Sequence, residues 1–192
     1  MARTKIDRRI LKTKRAIICA LLKLQKANNF DRITVTALTN TADINRKTFY
    51  LHYKSVEDVG VQFESQLADR VEELLQASRS PKTGVSPETL FRKFQDHIDQ
   101  YQDVFRALFV PDILPVYLNH IQSRLVKSFE DALRDFHTGS EAELHNRVVF
   151  CMSGVVSMYL DWSCNTGSQS LSALTETLAE LASICFANIR AN

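Results

Sequence analysis

Glycine and proline are scarce in this chain, five and four residues respectively, and they cluster mostly at the apparent boundaries of apolar-periodic segments. A strand-rich fold would need far more of these turn formers, so an all-helical chain is expected. Cysteine is as rare. Cys19, Cys151, Cys164 and Cys185 form no CxxC pair and no dense framework, which argues against a zinc site or a disulfide scaffold and for free thiols in a reducing compartment. Long hydrophobic runs are missing too. The longest strongly apolar stretch, Val148 to Leu160, has 13 residues, well short of the roughly 20 that span a bilayer. The first fifteen residues are too charged for a signal peptide, and no small-residue cleavage site follows them. A cytoplasmic protein without membrane contact is expected. There is no GxSxG, no HExxH and no phosphate-binding glycine loop, and the five histidines are scattered. An enzyme is therefore not expected, nor a metal or a cofactor.

Acidic residues are nearly absent from the first quarter. Residues 1–54 hold 13 Lys/Arg against 3 Asp/Glu, a net of +10, while residues 55–192 carry a net of −8. The overall +2 conceals this division, which points to an anionic partner for the first segment only. A solvated basic face would give the same count, so charge alone does not decide.

Apolar periodicity supplies the elements. Residues 8–28 read as a helix with Ile10, Ile17, Leu21 and Leu24 on one face, ended by Asn28-Asn29. A short helix follows from about Val35 to Thr41 with Thr34 as its N-cap, and another from Arg46 to about His52 capped by Asn45. Ser55 opens a long helix to about Ala77, with Glu57 and Asp58 at its positive dipole end. Ser78 to Ser86 is the clearest loop, and Pro87 has the position of a helix's first residue. That next helix carries Phe91, Phe94, Ile98 and Tyr101. Pro111 and Pro115 interrupt the chain before a helix from about Val116 to Phe136, stopped by Gly139. Residues 141–164 form a helix apolar nearly all round in its second half, which suits a central position. After Gly167, the spacing of Leu171, Leu174, Leu178, Leu181 and Cys185 resembles a helix–helix seam. No strand is expected.

The stretch from Thr34 to Lys54 carries the chemistry. Two short helices on a tight turn, with Leu38, Ala42, Ile44 and Phe49 directed inward, satisfy the needs of a helix-turn-helix. The second helix then presents Arg46, Lys47, Thr48, Tyr50 and His52. Such donors suit the acceptors that guanine and adenine display in a major groove. Thr34 and Thr36, at the start of the preceding helix, are placed for phosphate.

The run Ile33-Thr-Val-Thr-Ala-Leu, followed by Ala42-Asp-Ile-Asn-Arg-Lys-Thr-Phe-Tyr-Leu-His-Tyr-Lys54, resembles the signature of the TetR family of bacterial regulators. Thr48, Phe49, Tyr50, His52 and Tyr53 fall on its pattern, and Ala42 to Arg46 is similar to a subgroup frequent in Firmicutes. The resemblance covers roughly residues 8–60. It implies a three-helix DNA-binding head (residues 1–54), a helical-bundle body for dimerisation and effector binding (residues 55–192), about nine helices in all, and a homodimer on a palindromic operator in double-stranded DNA. It places Thr34, Thr36, Asn45, Arg46, Lys47, Thr48, Tyr50, His52, Tyr53 and Lys54 in the DNA-binding set, with Phe49 buried. Two departures stand out. Lys47 replaces the glycine of most members, and Val56 replaces a lysine that often anchors the fourth helix to phosphate.

In the body, Phe91, Phe94, Phe105, Phe109, Tyr117, Phe129, Tyr159 and Trp162 are candidates for an apolar effector pocket, though the same spacing also describes plain core. Asp161, His97 and His120 are candidate polar anchors within it. Val148, Met152, Val155, Leu171, Leu174, Leu178, Leu181 and Cys185 are candidates for the dimer interface, and Gly154 for a close helix contact. Ala2-Arg3-Thr4-Lys5 reads either as an arm for the minor groove or as a tail. The function expected is that of a sequence-specific regulator, a repressor released by a small-molecule effector. The alternative is a partner-dependent co-regulator with little DNA binding of its own.

Overall fold

The computed structural model describes residues 8–27, 32–80, 84–165 and 169–186. The expectations for the Ala2–Lys5 segment, for Asn28-Asn29, for Pro81 to Thr83 and for Gly167 lie outside them. The described residues form nine α-helices: α1 (Arg8–Ala27), α2 (Val35–Thr41), α3 (Arg46–Tyr50), α4 (Val56–Ala77), α5 (Pro87–Gln100), α6 (Gln102–Leu108), α7 (Leu114–Leu133), α8 (Glu141–Cys164) and α9 (Leu171–Phe186). A 3-10 turn, Arg134–Phe136, extends α7. The fold is all-helical, with helices α1 to α3 as a small head and α4 onward as a bundle.

Local signals explain where most of these helices begin. The hydroxyl of Thr34 accepts from the Ala37 N–H at 3.2 Å, and the Asn45 side chain accepts from the Thr48 N–H at 2.7 Å. Ser55, Ser86 and Ser140 cap α4, α5 and α8 in the same way. Each cap satisfies a backbone donor with no intrahelical partner and contributes about 1 kcal/mol. The Asp58 carboxylate also reaches back to the Lys54 N–H at 2.8 Å, which fixes the entry into α4.

Three readings need correction. The helix expected from about Val116 begins at Leu114, with Pro115 inside its first turn, where the missing N–H has no helical acceptor to lose. A separate helix, α6, follows α5 after a backbone break at Tyr101 (φ −125°, ψ 39°). No glycine or proline marks that break, so periodicity ran past it. Arg79–Ser80 and Gly84–Val85 pair as a minimal antiparallel ladder where no strand was expected. Gly84 adopts φ +70°, a left-handed conformation open to glycine, against the Phe136 ring.

Helix α1 departs from the one-faced reading. Ile10 is 40% exposed, whereas Ile17, Ile18, Cys19, Ala20, Leu21 and Leu22 are all buried in succession. Six consecutive residues point in every direction around a helix, so this half of α1 is enclosed on all sides. It packs against α2, α4 and α6. Head and body consequently share one apolar cluster, which runs from Ile17, Leu38 and Phe49 to Phe105, Leu174 and Leu178.

In the body α5 packs along α9, α4 along α7, and α7 against α8. Polar pairs line the outer edge of the α4–α7 contact: Glu64 with His120 at 2.7 Å, Arg124 with Glu72 at 2.8 Å, and Ser128 with Glu72 at 2.8 Å. The central position expected for α8 is not observed. Only Leu144, Val148 and Tyr159 of that helix are buried, while Phe150 is 72% exposed.

The turn between α2 and α3 depends on one backbone feature. Asp43 has φ 53°, which lets the Ile44 N–H return to the Thr39 carbonyl at 3.0 Å. A left-handed L-residue costs roughly 1 kcal/mol, less for Asp than for most. We predict that Asp43→Gly stabilises the protein by up to about 1 kcal/mol, whereas Asp43→Val destabilises it, because a β-branched residue resists this conformation. Thermal melting of the three proteins at one concentration checks the order.

Candidate functional site

Helix α3 and its approach form the basic surface of the head. Asn45 caps α3, and its side-chain oxygen also accepts from the Thr48 hydroxyl at 3.0 Å. These two expected contact residues are thus tied to each other at the start of the helix. Arg46 and Lys47 are exposed, and His52 is half-exposed. Tyr50 is 52% exposed with its ring braced edge-on against buried Phe49, centroids 5.3 Å apart. Thr34 spends its oxygen on the cap of α2, while Thr36 and Lys54 are exposed. The sequence reading did not single out Leu51, which is 73% exposed beside Tyr50. An exposed leucine next to a row of donors is the only sequence signal it offers.

Tyr53 does not belong to this surface. It is 2% exposed, its ring lies 6.0 Å from that of Phe49, and the Lys14 ammonium sits 5.7 Å over it. Burial, with a smaller contribution from Asp58, pushes its hydroxyl up to about 12. Residues 49 and 53 lie four apart, and the Tyr53 N–H donates to the Phe49 carbonyl at 3.0 Å. That geometry puts both rings on the inner face. Val56 is buried as well, 4% exposed in the first turn of α4.

Behind the basic surface, α1 is clasped to α6. The Arg15 guanidinium grips Asp103 through Nε at 2.7 and 2.8 Å and donates from Nη1 to the Gln100 carbonyl at 3.2 Å. It also lies 5.2 Å over the Tyr101 ring. The Cys19 thiol donates to Asp103 at 3.5 Å. Burial first, and then the Asp103 charge, push that thiol up to about 11. Burial alone would raise the Asp103 carboxyl, but the hydrogen bonds and charge of Arg15 outweigh it and hold the group below its ordinary range. A second tie, Tyr117 to Gln25 at 2.8 Å, joins α7 to α1. No local pattern announces partners more than eighty residues apart in sequence.

The body holds a partly open cavity of about 460 Å³. Of the residues expected there, Phe91, Phe94, Phe105, Phe109, Phe129 and Tyr159 line it. Tyr117 does not; it is core, with its ring edge-on to Phe63. Trp162 also lies away from the cavity, its indole N–H donating to the Gln169 carbonyl at 3.1 Å. None of Asp161, His97 and His120 lines the cavity. His97 is pushed down to about 4, by burial and then by the Arg70 charge.

The expected dimer seam turns inward. Val148, Met152 and Val155 line the cavity. Leu174 and Leu178 are 0% and 1% exposed within the protomer. Leu171 is half-buried against the same core. Cys185 is half-buried, and its carbonyl accepts from Arg147 at 2.8 Å. Leu181 alone of that set faces out, 45% exposed. The helix stripe was read correctly as apolar, but α5 covers it rather than a second chain.

No family model matches this sequence, and no curated protein matches it either. Solved structures do. A fatty acid degradation regulator from Bacillus halodurans superposes with a TM-score of 0.64 at 13% identity, over 93% of this chain and 96% of that one. A TetR transcriptional regulator from Streptococcus agalactiae gives 0.52 at 25% identity, over 92% and 96%. A TetR-family repressor from Thermus thermophilus in complex with lauroyl-CoA gives 0.50 at 18% identity, over 88% and 92%. The chain therefore has the fold of TetR-type transcriptional regulators. Among the described residues no helix is long and apolar enough to cross a membrane, and no cluster of metal-ligating side chains occurs.

The clasp predicts a reactivity order. Exposed Cys164 should alkylate first with iodoacetamide at pH 7.5, and Cys19 should lag far behind because the thiolate is the reacting species. Asp103→Asn should speed Cys19 by removing the adjacent negative charge, as mass spectrometry of labelled peptides would show. The ion pair is half-exposed, so the same variant should lose less than about 1 kcal/mol of stability. Because the Asp103 pKa is lowered in the folded state, that contribution is present above the ordinary carboxylate range and lost as pH falls through the folded value.

Proposed function

We propose that this chain is a DNA-binding transcriptional regulator of the TetR type, a homodimeric repressor whose hold on a palindromic operator changes when a small molecule occupies the body. One observation carries the reading. The exposed donors Arg46, Lys47 and Tyr50 project from a short helix whose inner face, through Phe49, is locked into the core of a regulator-type fold. Thr36 and Lys54 flank that helix for phosphate, and Leu51 is placed to meet a thymine methyl group. The similarity of Ala42 to Arg46 to the Firmicutes subgroup belongs to the same reading. In it residues 1–54 are the DNA-binding head, residues 55–192 the sensing body, and the protein acts in the cytoplasm as a regulator and not as an enzyme.

A dimer needs a face that the protomer leaves open. We place it on the outer sides of α8 and α9, where Phe150, Leu181 and Ile184 are exposed. A Cβ on Gly154 would meet nothing within 4 Å, so another helix has room to approach there. A second copy of this chain is the occupant that the reading requires. Two half-sites about 34–36 Å apart must be read at once.

Small molecules act, in this reading, through α6. Phe105 and Leu108 of that helix, with Phe109 just after it, line the cavity, and Asp103 of the same helix holds Arg15 of α1. An occupant shifts the placement of the heads only if it binds one placement more tightly than the other.

Selection of bound duplexes from a random pool by the purified protein should enrich a palindrome, with affinity falling steeply as salt rises. Tyr50→Ala should lower the affinity for that palindrome at least tenfold, with helicity and sedimentation unchanged. Failure to enrich any sequence would sink operator binding and favour a partner-dependent co-regulator. Phe150→Asp combined with Leu181→Asp should sediment as a monomer, because carboxylates buried in an apolar interface are costly. A surviving dimer would move the interface off this face.

A further inference from the structure

Two cysteines meet where α8 packs on α9. Cys151 stands in the middle of α8 and Cys185 in the last turn of α9, and their thiols lie within hydrogen-bonding reach of each other. Neighbouring contacts set the same two turns side by side. Arg147, one turn before Cys151, donates to the Cys185 carbonyl at 2.8 Å. Cys151 also shares the cavity wall with Ala182, Ser183 and Phe186, from the same turn as Cys185.

The other thiols do not compete for this pair within the chain. Cys19 of α1 donates to Asp103. Cys164 ends α8, about 20 Å beyond Cys151 along the helix axis. A disulfide needs Cα atoms roughly 4.4–6.8 Å apart, and the last turn of a helix, where Cys185 stands, is the part that adjusts most readily to meet it. Both cysteines are half-buried, so neither is sealed from a small oxidant. Disulfides that form in a reducing compartment are mostly transient and redox-sensing.

We propose that Cys151 and Cys185 form an oxidant-responsive pair, closed to an intramolecular disulfide by hydrogen peroxide and reopened by a dithiol. First the Cys185 sulfur attacks peroxide: an S–O bond forms, the O–O bond breaks, and one water leaves, giving a sulfenic acid. The Cys151 sulfur then attacks the Cys185 sulfur. The S–S bond forms, the S–O bond breaks, and the hydroxyl departs with the Cys151 proton as a second water. Two thiols are thereby oxidised and one peroxide is reduced to two waters. The order follows from the surroundings. Burial first, and then the neighbouring Cys185 sulfur, push the Cys151 thiol up to about 12. It therefore holds almost no thiolate to meet peroxide at neutral pH, but it is well placed for the resolving step. Such a bridge staples two walls of the cavity, α8 and α9, and its formation requires no DNA.

The test uses the full chain carrying Cys164→Ser, which removes the exposed thiol. It is treated with hydrogen peroxide at neutral pH, quenched with N-ethylmaleimide, digested without reductant and read by mass spectrometry. A peptide linking Cys151 to Cys185 should be the main disulfide product, in a chain of unchanged size on a non-reducing gel, and dithiothreitol should dissolve it. Adding Cys151→Ser should leave Cys185 as a sulfenic acid that dimedone captures. Adding Cys185→Ser instead should slow oxidation of Cys151 by roughly tenfold or more. Circular dichroism should show the parent's helicity in each variant. Absence of the Cys151–Cys185 peptide, or recovery of Cys185 only as sulfinic or sulfonic acid, would overturn the proposal. So would Cys151 oxidising as fast in Cys185→Ser as in the parent.

Discussion

The structure depends on the enclosure of one helix. Ile17 to Leu22 of α1 are buried without interruption, so α1 cannot be a surface helix with a single apolar stripe. Something must cover each of its sides. The head helices cover one, α4 another, and α6 a third. The consequence is mechanical as well as energetic. A head built on such a helix cannot pivot freely about a linker, because moving it uncovers apolar area on the body side as well, at roughly 25 cal/mol per Å². The polar ties reinforce this at the rim, with Arg15 on Asp103 and Gln25 on Tyr117.

Helix α6 is short, and it touches both α1 and the cavity. One side presents Phe105 and Leu108 to the cavity, and its first turn presents Asp103 to α1. Any displacement of α6 by an occupant must be accommodated either by the cavity wall or by α1. Packed interiors resist continuous deformation, which is the physical reason to seek the response of this fold at that junction. The wall formed by α4 and α7 is braced from outside, since the Glu64, Glu72, His120 and Arg124 pairs hold those two helices together.

Much of the head was legible before any coordinates. Thr34, Asn45 and Ser55 are small polar residues directly ahead of apolar-periodic runs, and each caps the helix expected of it. Caps and turns are local physics, in which the residues that matter lie within four positions of one another. Misreadings arose where packing decided. Tyr53, which the family resemblance places in the DNA-binding set, shares the inner face with Phe49 and lies under Lys14, a residue distant in sequence. Within the cavity set, Tyr117 and Trp162 have the same residue class and spacing as Phe94 and Phe105, yet only the latter pair lines the space.

By itself the sequence determined the helical class, the order and most bounds of the helices, and the basic character of the head, because periodicity, capping and charge are carried by near neighbours. Only the tertiary structure decided which apolar stripes meet within the protomer and which stay open. Leu174 and Leu178 are sealed under α5, while Phe150 and Ile184 face outward. A stripe of leucines records that something must cover it. It does not record what, since the hydrophobic effect has no direction and rewards any apolar cover alike.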